Sequence, residues 1–120
     1  MNPQLAIAAA LAFLLGITHS WIGERLIIQP VLATPDLPKL RGSRAGMRKI
    51  LRFAWHLTSV FFVAMAAIML HYSRATKDIS VLHIIAVTYF ISAIVTFAAS
   101  RGRHYTWPIF LLIGSLTWFF

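Results

Sequence analysis

Five histidines in a chain with only three acidic residues put imidazole at the centre of any chemistry this protein performs. His19, His56 and His104, with Glu24 as the only glutamate, offer three nitrogens and a carboxylate. Such a set suits zinc, iron or copper, and ligands drawn from separate segments need no contiguous motif. The expectation is a transition-metal site made of His19, Glu24, His56 and His104. Haem is the second candidate cofactor, because paired histidines can supply both axial ligands. Its geometry is less favourable. His56 and His71 lie 15 residues apart, about 60° out of phase on a helix, and His71 and His83 flank a short hairpin whose helices would pack too closely for a porphyrin. A proton relay through His19, His56 and Glu24 is a third possibility. The plain alternative gives each histidine an interfacial hydrogen bond and pairs Glu24 with Arg25, Arg101 or Arg103.

The elements that must position these groups follow from composition. With 120 residues, 59% hydrophobic and 12% charged, and a mean hydropathy of +0.77, the chain is too apolar for a water-soluble domain. A bilayer core about 30 Å thick takes roughly 20 residues per helix, so at most four spans fit and no separate soluble domain remains. Zero cysteines exclude disulfides, thiolate metal sites, iron–sulfur clusters and cysteine nucleophiles. Apolar stretches fenced by charges and breakers predict spans at 5–22, 50–71, 79–99 and 106–120, the last one short. The first stretch has no basic flank and exceeds a signal-peptide core, so it reads as a retained span. The fold class expected is all-α, a four-helix transmembrane bundle forming one membrane domain over residues 1–120.

Counting basic residues orients it. Arg25, Lys39, Arg41, Arg44, Arg48, Lys49, Arg52, Arg101 and Arg103 fall on one side, against Arg74 and Lys77 on the other. The positive-inside rule then makes the 23–49 loop cytoplasmic and places both termini outside, N-out and C-out. In that loop Pro30, Pro35 and Pro38 are expected to break any helix. Beyond them Arg44, Arg48 and Arg52, every fourth residue, form a basic ridge on an expected cytoplasmic extension of the second span, with Arg41 and Lys49 beside it. The ridge is expected to contact anionic lipid head groups. Nucleic acid is not expected as a partner, since no recognition fold accompanies the charge.

Two further periodicities concern packing. Ala8, Ala12, Gly16 and Ser20 recur every four residues, a seam of small side chains that lets helices approach closely, within this chain or in a homo-oligomer or larger membrane complex. Thr88, Ser92, Thr96 and Ser100 repeat likewise and are expected to bond back to carbonyls on their own helix. Trp and Tyr near the span ends fit an interfacial belt. No acid lies mid-span and no span is broken there by proline, which weighs against a coupled transporter.

The segments His19-Ser-Trp-Ile-Gly-Glu24, Arg52-Phe-Ala-Trp-His56-Leu-Thr-Ser59 and Arg101-Gly-Arg-His104-Tyr-Thr-Trp107-Pro108 resemble those of small, uncharacterised bacterial inner-membrane proteins with four predicted spans. The resemblance covers most of the chain. It implies the bacterial inner membrane as location, and it marks His19, Glu24, His56, Arg103 and His104 as positions of interest without supplying an activity. The functional expectation is thus a small membrane protein whose histidine–glutamate cluster binds a transition metal, with a non-enzymatic membrane subunit or scaffold, a haem-binding redox protein and a small transporter as alternatives.

Overall fold

The computed structural model describes residues 1–74, 78–103 and 105–120, without the side chains of residues 99 and 100. It is all-α, 82% helical, with no strand among the described residues. The first helix, α1, runs over Pro3–Leu32; α2 is Arg44–Arg74, α3 Ile79–Ser100 and α4 Thr106–Trp118. Pro3–Leu32, Arg44–Arg74 and Ile79–Ala98 are long and apolar enough to cross a bilayer, so this is a membrane protein. Large apolar side chains such as Phe13, Leu14, Trp21, Phe53, Phe61, Ile84 and Ile94 stand exposed, as lipid-facing surfaces require and water-facing ones rarely allow. The 13 residues of α4 rise about 20 Å, short of a full span.

The expected 23–49 loop shrinks to 33–43, because both flanking helices extend into it. Pro30 does not end α1. Ahead of it Glu24–Ile28 forms a π turn, closed by the Gln29 N–H donating to the Glu24 carbonyl. A wider turn accommodates the proline ring and its missing donor, which an unbroken α ladder could not. The helix then closes over Gln29–Leu32. At the other end, Ser43 caps α2 by accepting the Gly46 N–H at 3.1 Å, so Arg44 to Lys49 are helical.

The chain divides into two compact units, Met1–Phe13 with Ala64–Phe120, and Leu14–Val63. In the first, α3 and α4 form a hairpin. Its core contains Leu82, Ile85, Ala86, Tyr89, Phe110 and Ile113, and the Tyr89 and Phe110 rings meet at 5.9 Å. The hairpin turns on left-handed Arg101 and Gly102, with the Gly102 N–H reaching back to the Phe97 carbonyl at 2.9 Å, a helix stop in which glycine avoids a Cβ clash. Thr88 and Ser92 donate to the Ile84 and Thr88 carbonyls, each at 2.8 Å, the local bonding their spacing suggested; the side chain of Ser100 lies outside the described residues. His83 faces Trp118 with centroids 4.4 Å apart.

Asp78 caps α3 by accepting the Ser80 N–H at 2.9 Å, and that backbone bond holds its carboxyl below the ordinary Asp range. Since the folded pKa is the lower one, the cap contributes fully above the unfolded Asp value and fades as the pH falls through the folded value. Asp78→Ala should therefore lower the thermal midpoint at neutral pH, and the gap from wild type should close in strong acid. Circular dichroism in mild detergent at both pH values reads this.

Candidate functional site

Within Leu14–Val63 the second part of α1 packs on the first part of α2. Their closeness begins at Gly16, where an added Cβ would lie 3.1 Å from both the Phe62 Cβ and the Ser59 carbonyl oxygen. Contact this tight brings short side chains within hydrogen-bonding reach across the pair. One turn further on, the two helices exchange partners. His19 Nδ1 and Ser59 Oγ share a hydrogen bond of 2.9 Å, and Ser20 Oγ and His56 Nδ1 one of 2.6 Å. Each helix thus gives one histidine and one serine.

Glu24 makes the two pairs unequal. It stands four residues after Ser20, where the π turn opens, and its Oε2 lies 3.0 Å from His56 Nε2. Arg52, one turn before His56 on α2, reaches Glu24 Oε1 through Nη2 at 2.9 Å and donates to Oε2 through Nε at 3.3 Å. A carboxylate paired with a guanidinium is ionised and can only accept. His56 Nε2 must therefore carry the proton given to Glu24. In the neutral ring Nδ1 is then bare, and it accepts the Ser20 hydroxyl. One charge pair thus fixes the direction of the Ser20–His56–Glu24 chain.

His19 has different surroundings. Its ring stacks on Trp55, with centroids 4.4 Å apart and planes 6° from parallel, and meets the Phe62 edge at 5.9 Å. The Trp55 Nε1–H donates to the His19 carbonyl at 2.9 Å. Gly23 makes room for this indole: a Cβ there would fall 2.4 Å from Trp55 Nε1. Ser59, the partner of His19, is buried, 6% exposed, and no carboxylate is bonded to the His19 ring among the described residues.

The structure brings Glu24 and His56 into contact and sets His19 one residue before Ser20. His104 lies outside the described residues. Among the described residues no group of three or more His, Asp or Glu side chains is placed to hold a metal ion, and both His56 nitrogens have protein partners. Glu24 pairs with Arg52 and His56; Arg25, one of its expected partners, instead lies 5.2 Å over the Trp21 ring. The basic ridge also has inward work. Arg48 Nε donates to the Leu32 carbonyl at 3.0 Å, meeting a carbonyl left open at the end of α1, and Arg44 Nε donates to the Leu37 carbonyl at 3.2 Å. Together with Arg52 on Glu24 these bonds tie residues 24–37 to α2, over a cluster of Ile28, Leu32 and Leu37 packed by Met47 and Trp55. Arg41 and Lys49 are exposed. In the seam, Ala8 and Ala12 are fully buried and Gly16 and Ser20 find partners on the chain's own second helix.

Sequence reasoning missed Arg52 as the partner of Glu24, and it read Ser20 only as a small packing residue. The available signal was the reciprocal spacing of the His19-Ser20 doublet and His56-Leu-Thr-Ser59. No protein-family model, curated protein or solved structure matches this chain.

Gly23→Ala would drive a methyl group into the rigid indole. The expected result is destabilisation by about 1–3 kcal/mol, typical of overpacking, with a shift in tryptophan emission as Trp55 leaves His19. Unfolding in mild detergent followed by fluorescence measures both.

Proposed function

We propose that this is a small multi-pass protein of the bacterial inner membrane, with both termini outside, whose Ser20–His56–Glu24 chain is an acid–base site at the cytoplasmic membrane boundary. His56 is the proton acceptor. Glu24, anchored by Arg52, selects its tautomer, and Ser20 or a molecule in its place is the proton donor. The observation that carries this reading is the engagement of the two His56 nitrogens by chemically different groups, a hydroxyl at 2.6 Å and a carboxylate at 3.0 Å. A histidine held in one tautomer by a carboxylate, with its bare nitrogen aimed at a hydroxyl, has the arrangement of a general base. The location is supported by the excess of Lys and Arg around residues 25–52 and 101–103 under the positive-inside rule. Exposed Arg41 and Lys49, with the outward parts of Arg44, Arg48 and Arg52, would meet anionic head groups there.

Nitrogen-15 NMR of the histidine-labelled protein tests the site. At a pH where His56 is neutral, its two nitrogens should differ as pyrrole-like Nε2 and pyridine-like Nδ1, and Glu24→Gln should weaken that preference. Equal shifts in the wild type would sink the acid–base reading.

The transition-metal reading of His19, Glu24, His56 and His104 is supported by the residue types and by the contact of His56 with Glu24 at 3.0 Å. It requires His56 to exchange a protein partner for metal. Elemental analysis of the purified protein separates the two: the acid–base site predicts well under one metal per chain, whereas a metal site predicts one, lost on His56→Ala.

Orientation has its own test. A reporter active only in the cytoplasm should work when inserted near Asp36 and fail when fused after Phe120; the opposite pattern would invert the assignment.

A further inference from the structure

On the loop side of the histidines the Leu14–Val63 unit holds an open cleft of about 320 Å³, walled by residues including Ile27, Val31 and Leu32 of α1 and Leu51, Ala54 and Thr58 of α2. Its wall is apolar throughout. The two lining residues with polar side-chain atoms spend them on backbone carbonyls, Thr58 Oγ1 donating to Ala54 at 3.1 Å and Trp55 Nε1 to His19 at 2.9 Å. Ile27, Val31 and Leu51 are exposed, as residues that face lipid are.

The loop end of this cleft is cationic. Arg44, Arg48, Leu51, Ala54 and Thr58 follow one another at steps of three or four residues, so the wall that α2 contributes continues into the two arginines on one helix face. Leu32, itself part of the wall, accepts the Arg48 Nε–H at 3.0 Å, and Leu37 accepts that of Arg44 at 3.2 Å. Each arginine thus uses Nε and keeps its two terminal Nη groups as donors. Both are exposed, and among the described residues neither forms an ion pair.

The occupant must therefore carry a negative group at one end and an apolar body behind it. Length narrows the choice. Thr58 lies ten residues beyond Arg48, about 15 Å along a helix axis, which is half of a bilayer core about 30 Å thick and so the depth of one leaflet's acyl chain. A second copy of this chain would bring its own formal charge of +8 against the same arginines.

We propose that the cleft binds one anionic phospholipid, its phosphate on the Nη groups of Arg44 and Arg48 and one acyl chain running along the wall toward Thr58. The proposal rests on the reading that the basic ridge meets anionic head groups, and it adds a single built site. A guanidinium matches the oxygens of a phosphate through paired N–H donors, and the bonds to Leu32 and Leu37 hold both side chains at the mouth of the cleft.

Phosphatidylglycerol and phosphatidylcholine carrying the same diazirine midway along one acyl chain test this, each added at low fraction to phosphatidylcholine nanodiscs holding the full chain. After illumination, peptide mass spectrometry should find adducts within residues 27–32 and 51–58 at least about tenfold more often from phosphatidylglycerol, as two basic contacts to an anionic lipid supply. Exposed Ile91 and Ile94 of α3 should react with both lipids alike. Arg44→Gln/Arg48→Gln should bring cleft labelling by phosphatidylglycerol down to the phosphatidylcholine level, whereas Arg41→Gln/Lys49→Gln should leave it unchanged. Ala54→Trp fills the cleft and keeps both arginine bonds, so it serves even where the arginine variants fold poorly; it should cut the labelling to the level seen on Ile94. Equal labelling of the cleft by the two lipids in the wild type, or labelling that survives Ala54→Trp, overturns the proposal. If total labelling of the protein by phosphatidylglycerol then still exceeds that by phosphatidylcholine, the head-group reading of the ridge stands without the site; if it does not, both readings fall.

Discussion

A carboxylate that meets a guanidinium and an imidazole N–H together is held ionised and in one place, because charge-assisted hydrogen bonds favour the anion and fix its geometry. Glu24 satisfies that condition through Arg52 and His56, both on the facing helix. Much of the Leu14–Val63 unit follows from this pairing. It fixes which His56 nitrogen carries the proton, so it sets the direction in which Ser20 bonds. It also fastens the end of α1 at one point of a series that Arg48 and Arg44 continue along the Leu32 and Leu37 carbonyls. Four-residue spacing on α2 thereby becomes a zipper for residues 24–37, with one electrostatic bond and two bonds to backbone oxygen.

Backbone geometry makes the pairing possible. Two helices can bond through serine hydroxyls only at close range, and Gly16 provides that range without a side chain of its own. Gly23 does the same for the indole that holds His19. Between Gly23 and Pro30 the π turn changes the helical phase by the insertion of extra backbone per turn, and such turns occur often at functional sites. Here it begins at Glu24 itself. The proline ahead and the carboxylate behind are accommodated by one local departure from α geometry.

The membrane class and helical fold were legible in the sequence because hydropathy and charge fences depend on composition over long windows. The span expected at 79–99 is the helix Ile79–Ser100, and the last helix starts at Thr106 as expected. Ends that depend on local backbone chemistry were not legible. The rule by which Pro30 stops a helix presumes an unbroken ladder, and the π turn at Glu24–Ile28 supplies the exception. The charges from Arg44 to Arg52, in contrast, are expected on an extension of the second span, and α2 does begin at Arg44. In the site, spacing placed Arg44, Arg48 and Arg52 on one face but could not say what stood opposite. His19, Glu24 and His56 were singled out by residue type. Their bonding was not, because Ser20 and Ser59 acquire meaning only when the two helices come together. The unit of Met1–Phe13 with Ala64–Phe120 makes the same point through Thr117, whose hydroxyl donates to the Ile113 carbonyl at 2.8 Å and lies 3.2 Å from Met69 Sδ, a pairing no spacing announces.

The contact between Glu24 and His56 is the claim on which the account rests, and the composition of the chain makes it directly measurable. Because Glu24 is the only glutamate, glutamate labelled with carbon-13 at Cδ reports one site. Solid-state dipolar recoupling to nitrogen-15 histidine in bilayers should give one carbon–nitrogen separation of about 4 Å, as a carboxylate hydrogen-bonded to a ring nitrogen requires, and His56→Ala should remove it. A Glu24 carboxyl carbon with no histidine nitrogen within about 6 Å, too far for any direct hydrogen bond, would contradict the account.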